Sequence, residues 1–458
     1  MTLPFLDRAA ELERLARTLR GPRSLTVLYG RRRLGKSRLL RESLRSRPHV
    51  HYVGDARDAP LQRHGLAAAV AERIPGFADV PYPDWESLLR RLYRDAPHGL
   101  PVVIDELPEV VLRSPELPSV LSKVLDGAGD RGPHLLLAGS SQRMMHGLVL
   151  DASAPLYGRA AQIMKIEPLG AGWLGRALEI RDPRSIVETH ALWGGVPRYW
   201  ELARGIGARR EALEELVLDP LGVLHREPDR LLADDIGDPA RAASILALVG
   251  RGCHRGSEIA SRLALPATSI ARPLANLVDL GLLERQVPFG RFSRDTKRTA
   301  YVLADPFLRA WYRFVEPNRS RLAAGQVRAV SREIEASWPE HTGGHWESLV
   351  RSAVPRLDVS GGGWGPASRW WGRDRSGAPL ELDVVAESRD GRALVGEAKR
   401  TASGREVTTI LESLLRRAAA CPELEGRRIE PVVFVMQGKG PKASPRVVDA
   451  RDVLGALR

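Results

Sequence analysis

The sequence predicts an α/β core on a parallel sheet, followed by a helical segment, a helix-and-hairpin unit and a second α/β domain. Two observations predict the core. An apolar strand, Leu25 to Tyr29, runs into a glycine-bounded loop, and a second apolar strand ends in the acid pair Asp105-Glu106. A third observation predicts the last domain, because a hairpin near the carboxyl end carries Asp383 and Glu397.

The loop after the first strand fits the phosphate-binding pattern G-x-x-x-x-G-K-[ST] at every defined position. Its residues, with the one that follows, are Gly30, Arg31, Arg32, Arg33, Leu34, Gly35, Lys36, Ser37 and Arg38. The glycines let backbone N–H groups turn toward a phosphate, which the positive end of the next helix also attracts. We therefore predict that the loop binds ATP, with Lys36 on the β- and γ-phosphates and Ser37 on Mg²⁺.

The acid pair Asp105-Glu106 follows the apolar strand that begins at Pro101. Such a strand places its acids at the carboxyl edge of a parallel sheet, where ligands bind. We predict that Asp105 holds the Mg²⁺ shell and that Glu106 orients or deprotonates the attacking water. A strand that merely ends in an acidic turn is the alternative, and the phosphate loop upstream makes it the weaker one.

Two further residues are candidates for sensing the nucleotide. A third buried strand, His134 to Gly139, ends in the polar tip Ser140-Ser141, and Ser140 is a candidate γ-phosphate sensor. A simple turn is the alternative there. Arg159 is a candidate arginine finger or γ-phosphate sensor, within its own chain or across a subunit boundary. A solvated role competes with it in a chain so rich in arginine.

Length and composition limit the class of protein. The 458 residues suggest two to four domains. No apolar run approaches the length of about 18 residues that a membrane span needs, and the amino terminus lacks a signal-peptide pattern. The two cysteines, Cys253 and Cys421, have no partners at metal-ligand spacing. We expect a cytoplasmic chain that does not enter a membrane.

Charge favours a polyanionic partner. The net charge is +13, and residues 240–320 hold 13 Arg and Lys against 6 Asp and Glu. Three helices followed by a hairpin in this stretch predict a winged helix-turn-helix. Thr268 to Leu280 is the predicted recognition helix, and Gly290 to Arg298 is a wing that contacts DNA phosphates. Protein contacts within a signalling ATPase are the alternative.

The last domain carries two acids and a lysine that a hairpin brings together. Glu397 and Lys399 are two apart on a strand and point to one face, and Asp383 comes near them across the hairpin. Such a group holds Mg²⁺ or Mn²⁺ and activates a water beside a phosphate. A surface ion pair between Glu397 and Lys399 is the alternative.

The order of these motifs resembles the archaeal-type ATPase family, a branch of the STAND and AAA-like P-loop NTPases. The matching segments are Gly30 to Ser37, Ile104 to Glu106, Gly139 to Ser141, Leu156 to Arg159 and Gly194 to Tyr199. The resemblance covers roughly residues 1–320. It implies a P-loop ATPase core over 1–180, a helical lid over 181–235 and a winged helix-turn-helix over 236–320.

Residues 335–458 resemble the PD-(D/E)XK nuclease fold, a restriction-endonuclease-like α/β domain, which archaeal-type ATPases commonly carry at this position. The resemblance implies a metal site of Glu347, Asp383 and Glu397, with Lys399 as a catalytic partner. Arg416 and Arg417 are expected near a phosphate backbone. Because this superfamily contains members without catalysis, three functions compete. One is an ATP-gated DNA nuclease, and the second is an ATP-driven regulatory switch whose last domain only binds DNA or protein. In the third, the winged helix recruits a protein partner and nucleic acid is irrelevant. The oligomeric state is left open.

Overall fold

The structure is a computed structural model that describes residues 3–129, 132–291, 298–437 and 446–458. The chain packs as two compact units. The amino-terminal unit comprises Asp7–Pro168 with Ala233–Gly237, and the carboxy-terminal unit comprises residues 3–6, Leu169–Leu232 and Asp238–Arg458. In the described part of the chain, no helix is both long and apolar enough to span a membrane.

The amino-terminal unit is built on a parallel sheet of five strands. These are β1 (Leu25–Tyr29), β2 (Val50–Val53), β3 (Pro101–Asp105), β4 (His134–Gly139) and β5 (Ala160–Lys165). Their order is β2-β3-β4-β1-β5, and every neighbouring pair is parallel. Because β4 lies between β1 and β3, the phosphate loop and the acid pair emerge at one edge on either side of Ser140. The predicted parallel α/β core is confirmed.

In the described part of this unit, seven helices accompany the sheet. They are α1 (Ala9–Thr18), α2 (Lys36–Leu44), α3 (Ala59–Ala71), α4 (Trp85–Asp95), α5 (Leu107–Arg113), α6 (Leu117–Gly127) and α7 (Gln142–Met145), which continues as a π-helical turn, His146–Leu150. In α4, Trp85, Leu88 and Leu92 repeat at helical spacing and are all buried in the core. Asp84 caps this helix by accepting from the Ser87 backbone N–H at 2.7 Å.

The carboxy-terminal unit begins with helices and a hairpin. The helices are α8 (Leu174–Leu178), α9 (Pro183–Trp193), α10 (Pro197–Ala203), α11 (Arg209–Leu213), α12 (Glu227–Asp235), α13 (Pro239–Gly250), α14 (Gly256–Arg262), α15 (Ala267–Asp279), α16 (Pro306–Ala310) and α17 (Arg319–Ala323). Two π-helical turns, Glu214–Leu218 and Trp311–Val315, and the 3₁₀ turns Ala171–Trp173 and Glu316–Asn318 connect them. The last residues of α12 belong to the amino-terminal unit.

The hairpin follows α13, α14 and α15, which is the order of elements predicted for residues 236–320. Its strands are β6 (Leu283–Gln286) and β7 (Ala300–Leu303), paired antiparallel with Leu283 opposite Leu303. The predicted recognition helix corresponds to α15, which runs through Pro273. Arg294 and Lys297 of the predicted wing lie outside the described residues.

A mixed five-stranded sheet occupies the end of the chain. Its strands are β8 (Ser368–Arg373), β9 (Pro379–Glu387), β10 (Ala393–Thr401), β11 (Ile429–Gln437) and β12 (Val447–Asp449). The order is β12-β11-β10-β9-β8, antiparallel from β8 to β10 and parallel from β10 to β12. It packs against α19 (Gly404–Ala420) through a core that includes Leu382, Val395 and Leu414. The 3₁₀ turns Val354–Arg356 and Pro422–Leu424 and helix α20 (Ala450–Ala456) complete the unit.

One long helix, α18 (Val327–Ala353), runs through the predicted domain start at residue 335. Two adjacent glycines, Gly343 and Gly344, also lie inside this helix. Trp338, His345 and Trp346 are buried along its length. Tertiary packing of these large side chains outweighs the low helix propensity of two glycines.

Candidate functional site

The phosphate loop adopts a conformation that its glycines allow. Gly30 has φ +148°, and a Cβ added there would lie 2.5 Å from the Ile166 carbonyl oxygen. Gly35, with φ +89°, precedes α2. Arg33 also has a positive φ, 71°, which is strained for a residue with a side chain. Any side chain at Gly30 would therefore displace the loop from the neighbouring backbone.

Lys36 lies inside the loop rather than on the surface. Its side chain is 5% exposed, and its Nζ donates to the carbonyl oxygens of Gly30 at 2.8 Å and Arg31 at 3.2 Å. Burial lowers the pKa of Lys36, while the charges of Glu106 and Asp105 oppose that shift. The structure thus brings the predicted phosphate-binding lysine and the predicted acids together.

Asp105 is the buried member of the acid pair. It is 2% exposed and receives a hydrogen bond from Ser37. His51 Nε2 lies 3.6 Å from Asp105 Oδ2. Burial acts to raise the pKa of Asp105, but the neighbouring His51 and the hydrogen bond from Ser37 outweigh it, and the pKa is lowered. A hydroxyl and an ionised carboxylate together are the oxygen ligands that Mg²⁺ prefers, so the residues fit the predicted metal.

Glu106 is held by Ser140, which follows β4. This strand lies between β1, which leads into the phosphate loop, and β3, which leads into the acid pair. Glu106 has a left-handed backbone, with φ 52°. Its Oε2 accepts from the Ser140 hydroxyl at 2.7 Å and from the Ser140 backbone N–H at 3.2 Å. Ser140, predicted to sense the γ-phosphate, therefore positions Glu106 in this structure.

Three residues of this site were missed by the sequence reasoning. His51 on β2 contacts Asp105, and the parallel pairing of β2 with β3 is the signal that would have placed it there. Arg8 is buried and donates to the Leu34 carbonyl at 3.4 Å, below the loop. Asp235, at the end of α12, acts on Lys36 as a nearby negative charge, and no local pattern in the sequence indicates it.

Arg159 is not brought to the phosphate loop of its own unit. It precedes Ala160, which pairs with Leu25 at the amino end of β1, whereas the loop follows Tyr29. Four residue steps along a strand separate those two ends by about 13 Å. Arg159 instead forms a double hydrogen bond with Asp126 at 2.9 and 2.8 Å. The structure does not support a role within the chain, and a role across a subunit boundary stays a prediction.

The remaining loop residues differ in exposure. Arg31 and Leu34 are buried, Arg32 is exposed, and Arg33 and Arg38 are partly buried. Only their backbone N–H groups are required by the phosphate-binding pattern. Their assignment to the nucleotide stays a prediction.

Asp383, Glu397 and Lys399 are brought together in the second sheet. Lys399 Nζ lies 2.7 Å from Glu397 Oε1, so the two side chains share a face as predicted. Arg417 NH1 contacts the other oxygen of Glu397 at 2.7 Å. Asp383 Oδ2 accepts from the Ala398 backbone N–H at 3.4 Å. We call these four side chains the carboxylate cluster.

The carboxylates in and near this cluster differ in the direction in which their pKa values are shifted. Burial and then the charge of Glu397 raise the pKa of Asp383. Burial also acts to raise the pKa of Glu397, but hydrogen bonds from Lys399 and Arg417 outweigh it, and that pKa is lowered. Burial and the charge of Asp383 raise the pKa of Glu347. Glu347 therefore lies close enough to sense Asp383, as the predicted site requires.

The predicted three-carboxylate metal site is not assembled. Among the described residues, no three His, Cys, Asp or Glu side chains are grouped closely enough to hold a metal ion. Glu347 lies 3.6 Å from Arg351, and Arg351 donates to the Asp383 carbonyl at 3.0 Å. Cationic side chains thus occupy positions between the acids.

The basic residues predicted to meet DNA have mixed surroundings. Arg291, at the start of the predicted wing, forms an ion pair of 2.9 Å with Glu423. Arg416 on α19 is exposed, whereas Arg417 belongs to the carboxylate cluster. Arg291 therefore connects the segment after β6 to the 3₁₀ turn Pro422–Leu424.

A loop closed around a buried lysine, with a hydroxyl–carboxylate pair at its end, makes the amino-terminal unit a P-loop ATPase domain. Residues 5–173 match the family described as an ATPase domain predominantly from Archaea, so this part of the chain is similar to archaeal-type ATPase domains. Residues 311–410 match a family described as archaeal and bacterial proteins of unknown function.

Three known proteins illustrate what the chain is similar to. An uncharacterized protein of Methanocaldococcus jannaschii is 27% identical over 421 residues, covering 90% of this chain and 92% of the relative. The Walker-type ATPase PABY2304 of Pyrococcus abyssi matches with a TM-score of 0.53 and 21% identity, over 68% of this chain and 96% of its own. The Aeropyrum pernix ORC2 protein matches with a TM-score of 0.41 and 15% identity, over 74% and 97%.

Proposed function

We propose that the chain is a Mg²⁺-dependent ATP hydrolase whose nucleotide cycle controls a DNA-processing carboxy-terminal unit. The observation that carries the ATPase part is the connection from Ser37 through Asp105 and Glu106 to Ser140. This connection joins the phosphate loop to the acid pair. It also joins the acid pair to Ser140, which follows β4, the strand between β1 and β3.

The ATPase residues have separate roles in this proposal. Lys36 binds the β- and γ-phosphates, exchanging its loop carbonyls for phosphate oxygens. Ser37 and Asp105 would hold Mg²⁺, which neutralises charge on the phosphates when bound. Glu106, oriented by Ser140, accepts a proton from the attacking water or aligns it.

The helices α13 to α15 and the hairpin act in this proposal as a winged helix-turn-helix on DNA. The excess of basic residues across 240–320 supports that role, because Arg and Lys contacts to phosphates supply most non-specific affinity. The exposed face of α15 includes Arg272 and Asn276, whose side chains are suited to contacts at the edge of a DNA groove. A contact with a protein partner is the competing role for this region.

The carboxylate cluster acts in this proposal as a metal-dependent nuclease centre. Mg²⁺ is commonly bound by one or two carboxylates together with substrate phosphates, so Asp383 and Glu397 suffice as protein ligands. Burial and then the negative charge of Glu397 raise the pKa of Asp383, and a divalent cation would relieve that repulsion. Glu347 would hold the attacking water, and Lys399 would stabilise charge that develops on the scissile phosphate. Mn²⁺ suits the same oxygen ligands.

A second function is favoured by one observation. Both oxygens of Glu397 are engaged by cations at 2.7 Å, which is the arrangement expected of an ion pair that only stabilises the fold. In that case the chain is an ATP-driven regulatory switch that binds DNA or protein without cutting. Metal-dependent cleavage separates the two functions.

The proposal is tested by measuring phosphate release from ATP by the purified full chain, with and without DNA. We expect hydrolysis that requires Mg²⁺ and changes in rate when DNA is added, together with DNA affinity that falls steeply with salt. Hydrolysis that is indifferent to DNA, with no salt-dependent DNA binding, would contradict the DNA-processing part and favour a protein partner.

A further inference from the structure

A groove lies between the hairpin β6–β7 and the edge strands β8 and β9 of the second sheet. Its volume is about 530 Å³, a size typical of ligand sites. The lining residues on which the argument rests are Arg255, Arg298, Arg369, Trp371, Arg373 and Glu381. We call it the arginine–tryptophan groove. Both of its walls belong to the carboxy-terminal unit.

The charge of the groove favours an anion. Among the lining residues that the structure describes, four are arginines and only Glu381 is acidic. Glu381 lies 3.5 Å from Arg369, a loose contact that leaves most of the guanidinium groups' capacity for other acceptors. Arg255, Arg298 and Arg373 are exposed.

The positions of the side chains on β8 add an aromatic surface to this charge. Arg369, Trp371 and Arg373 are two apart along the strand and all line the groove, so a tryptophan stands between two guanidinium groups on one face. Trp371 is partly exposed. Trp370 points the other way, is 2% exposed and donates to Glu423 at 2.8 Å.

The walls of the groove are fixed to each other by backbone contacts. The Phe289 backbone N–H donates to the Arg369 carbonyl at 2.9 Å, which connects the segment after β6 to β8. On the hairpin side, His254 and Tyr301 exchange two hydrogen bonds of 2.8 and 2.9 Å. A preformed groove loses less conformational entropy on binding than a mobile one.

The groove leads toward the carboxylate cluster. The Glu381 carbonyl accepts a hydrogen bond from Arg417, and Arg417 contacts Glu397 at 2.7 Å. Glu381 and Asp383 are two apart on β9. Arg369 also acts as a nearby positive charge on Glu347. A strand lying in the groove would thus have its phosphates directed toward the acids.

We propose that the arginine–tryptophan groove binds an unpaired stretch of nucleic acid, with a base stacked on Trp371 and its phosphates on Arg369 and Arg373. Inside a duplex both faces of a base are covered by its neighbours, so a tryptophan in a groove reaches a base only in a single strand. This site deepens the proposed function and rests on its DNA-processing part, because it specifies the form of the substrate.

The test is a fluorescence-anisotropy titration of the full chain without ATP or metal. The probes are a thymidine oligonucleotide of about 12 nucleotides, its duplex, and a version in which central bases are removed but all phosphates remain. We expect wild-type protein to bind the thymidine strand at least about fivefold more tightly than the abasic strand. Tighter binding of a matching uridine strand would assign the groove to RNA, and tighter thymidine binding to DNA.

Four variants make the titration specific. Trp371→Leu should remove the preference for the strand with bases, whereas Trp371→Phe should keep it, because a phenyl ring still stacks. Arg373→Gln should reduce the slope of log affinity against log salt by about 0.7, the value for one contact to a single strand. Arg332→Gln, an exposed position on α18 outside the groove, is the charge-matched control and should leave the base preference unchanged.

Equal binding of the abasic and thymidine strands by wild-type protein, or an unchanged preference in Trp371→Leu, would overturn the groove proposal. Tighter binding of the duplex than of the single strand would overturn it as well. Thermal unfolding of each variant near the wild-type temperature establishes that the fold is intact. The titration contains neither ATP nor metal, so its outcome does not depend on hydrolysis or cleavage. A protein that fails to hydrolyse ATP or to cut DNA would contradict the proposed function, and the titration would still test the groove.

Discussion

The Ser140 hydroxyl donates to Glu106 Oε2 at 2.7 Å, and the Ser140 backbone N–H donates to the same oxygen at 3.2 Å. Both hydrogen bonds hold the same carboxylate oxygen of Glu106. Since Ser140 follows β4 and Glu106 follows β3, the sheet itself sets the position of the proposed catalytic acid. Ser140 is a positioning residue in this arrangement.

Replacing Ser140 by alanine should slow ATP hydrolysis more than it weakens ATP binding. A hydrogen bond to a charged group contributes about 1.5–3 kcal/mol, so we expect kcat to fall roughly tenfold or more. Steady-state phosphate release gives kcat and KM, and Ser140→Thr should restore most of kcat because it keeps the hydroxyl. Ser153→Ala, at an exposed serine, is the control. An increase in KM with unchanged kcat would instead assign Ser140 to the nucleotide.

Changing Lys36 to alanine should abolish Mg-ATP binding. The variant removes the cation inside the loop and leaves the Gly30 and Arg31 carbonyls without their donor. Lys165→Ala is a matched control, because that lysine is exposed and pairs with Glu167 at 3.1 Å. Isothermal calorimetry measures the affinity of both. If Lys36→Ala bound ATP as the wild type does, the nucleotide site would be misplaced.

Acidification should destabilise the carboxy-terminal unit between about pH 6.5 and 4. His190 Nδ1 and His345 Nε2 are 2.9 Å apart and both rings are buried. Burial lowers the pKa of His190 to about 4 and that of His341 to about 3, and it lowers the pKa of His345 well below its usual value. The unfolded chain protonates these histidines first, so stability is present above that window and lost as pH falls.

Each of these histidines contributes about 1.4 kcal/mol of lost stability per pH unit across the window. Urea unfolding followed by tryptophan fluorescence reports this unit, because nine of the ten tryptophans belong to it. His190→Asn should flatten the pH dependence, and His64→Asn, at an exposed histidine of the other unit, should not. A pH dependence that is the same in all three proteins would contradict the assignment.

Removing Asp383 or Lys399 should abolish DNA cleavage while leaving DNA affinity within a few-fold, because both lie in the carboxylate cluster and not along the basic surfaces. Lys399→Arg should also fail. Lys399 contacts Glu397 as a compact ammonium at 2.7 Å, and a planar guanidinium cannot occupy the same space. Gel-resolved cleavage and anisotropy measure the two effects. Cleavage by Lys399→Arg at the wild-type rate would argue against this role.

The sequence predicted the motifs whose chemistry is local. The phosphate loop, the acid pair and the facing of Glu397 and Lys399 follow from short-range spacing, and the structure places each where it was expected. The parallel core follows from the two apolar strands that lead into the phosphate loop and the acid pair. Such patterns are readable because a strand or loop fixes the direction of neighbouring side chains.

Other features depended on contacts between distant parts of the chain. His51 lies beside Asp105 because β2 pairs with β3, and Asp235 lies near Lys36 although it is about 200 residues later in the chain. Arg417 contacts Glu397 from a helix twenty residues later. Gly343 and Gly344 favour a break by propensity, yet packing of Trp338 and Trp346 keeps α18 continuous. Arg159 lies at the end of the parallel strands opposite to the phosphate loop, and only the register of β5 with β1 shows this position.

The claim that ATP controls cleavage is tested most directly by incubating supercoiled and linear DNA with the full chain, Mg²⁺ or Mn²⁺, and with or without ATP. We predict that the wild type cuts at a rate that changes with ATP, that Lys36→Ala cuts without responding to ATP, and that Asp383→Ala does not cut. If the wild type never cuts with either metal, or if Asp383→Ala cuts equally well, the nuclease claim is contradicted and the regulatory switch replaces it.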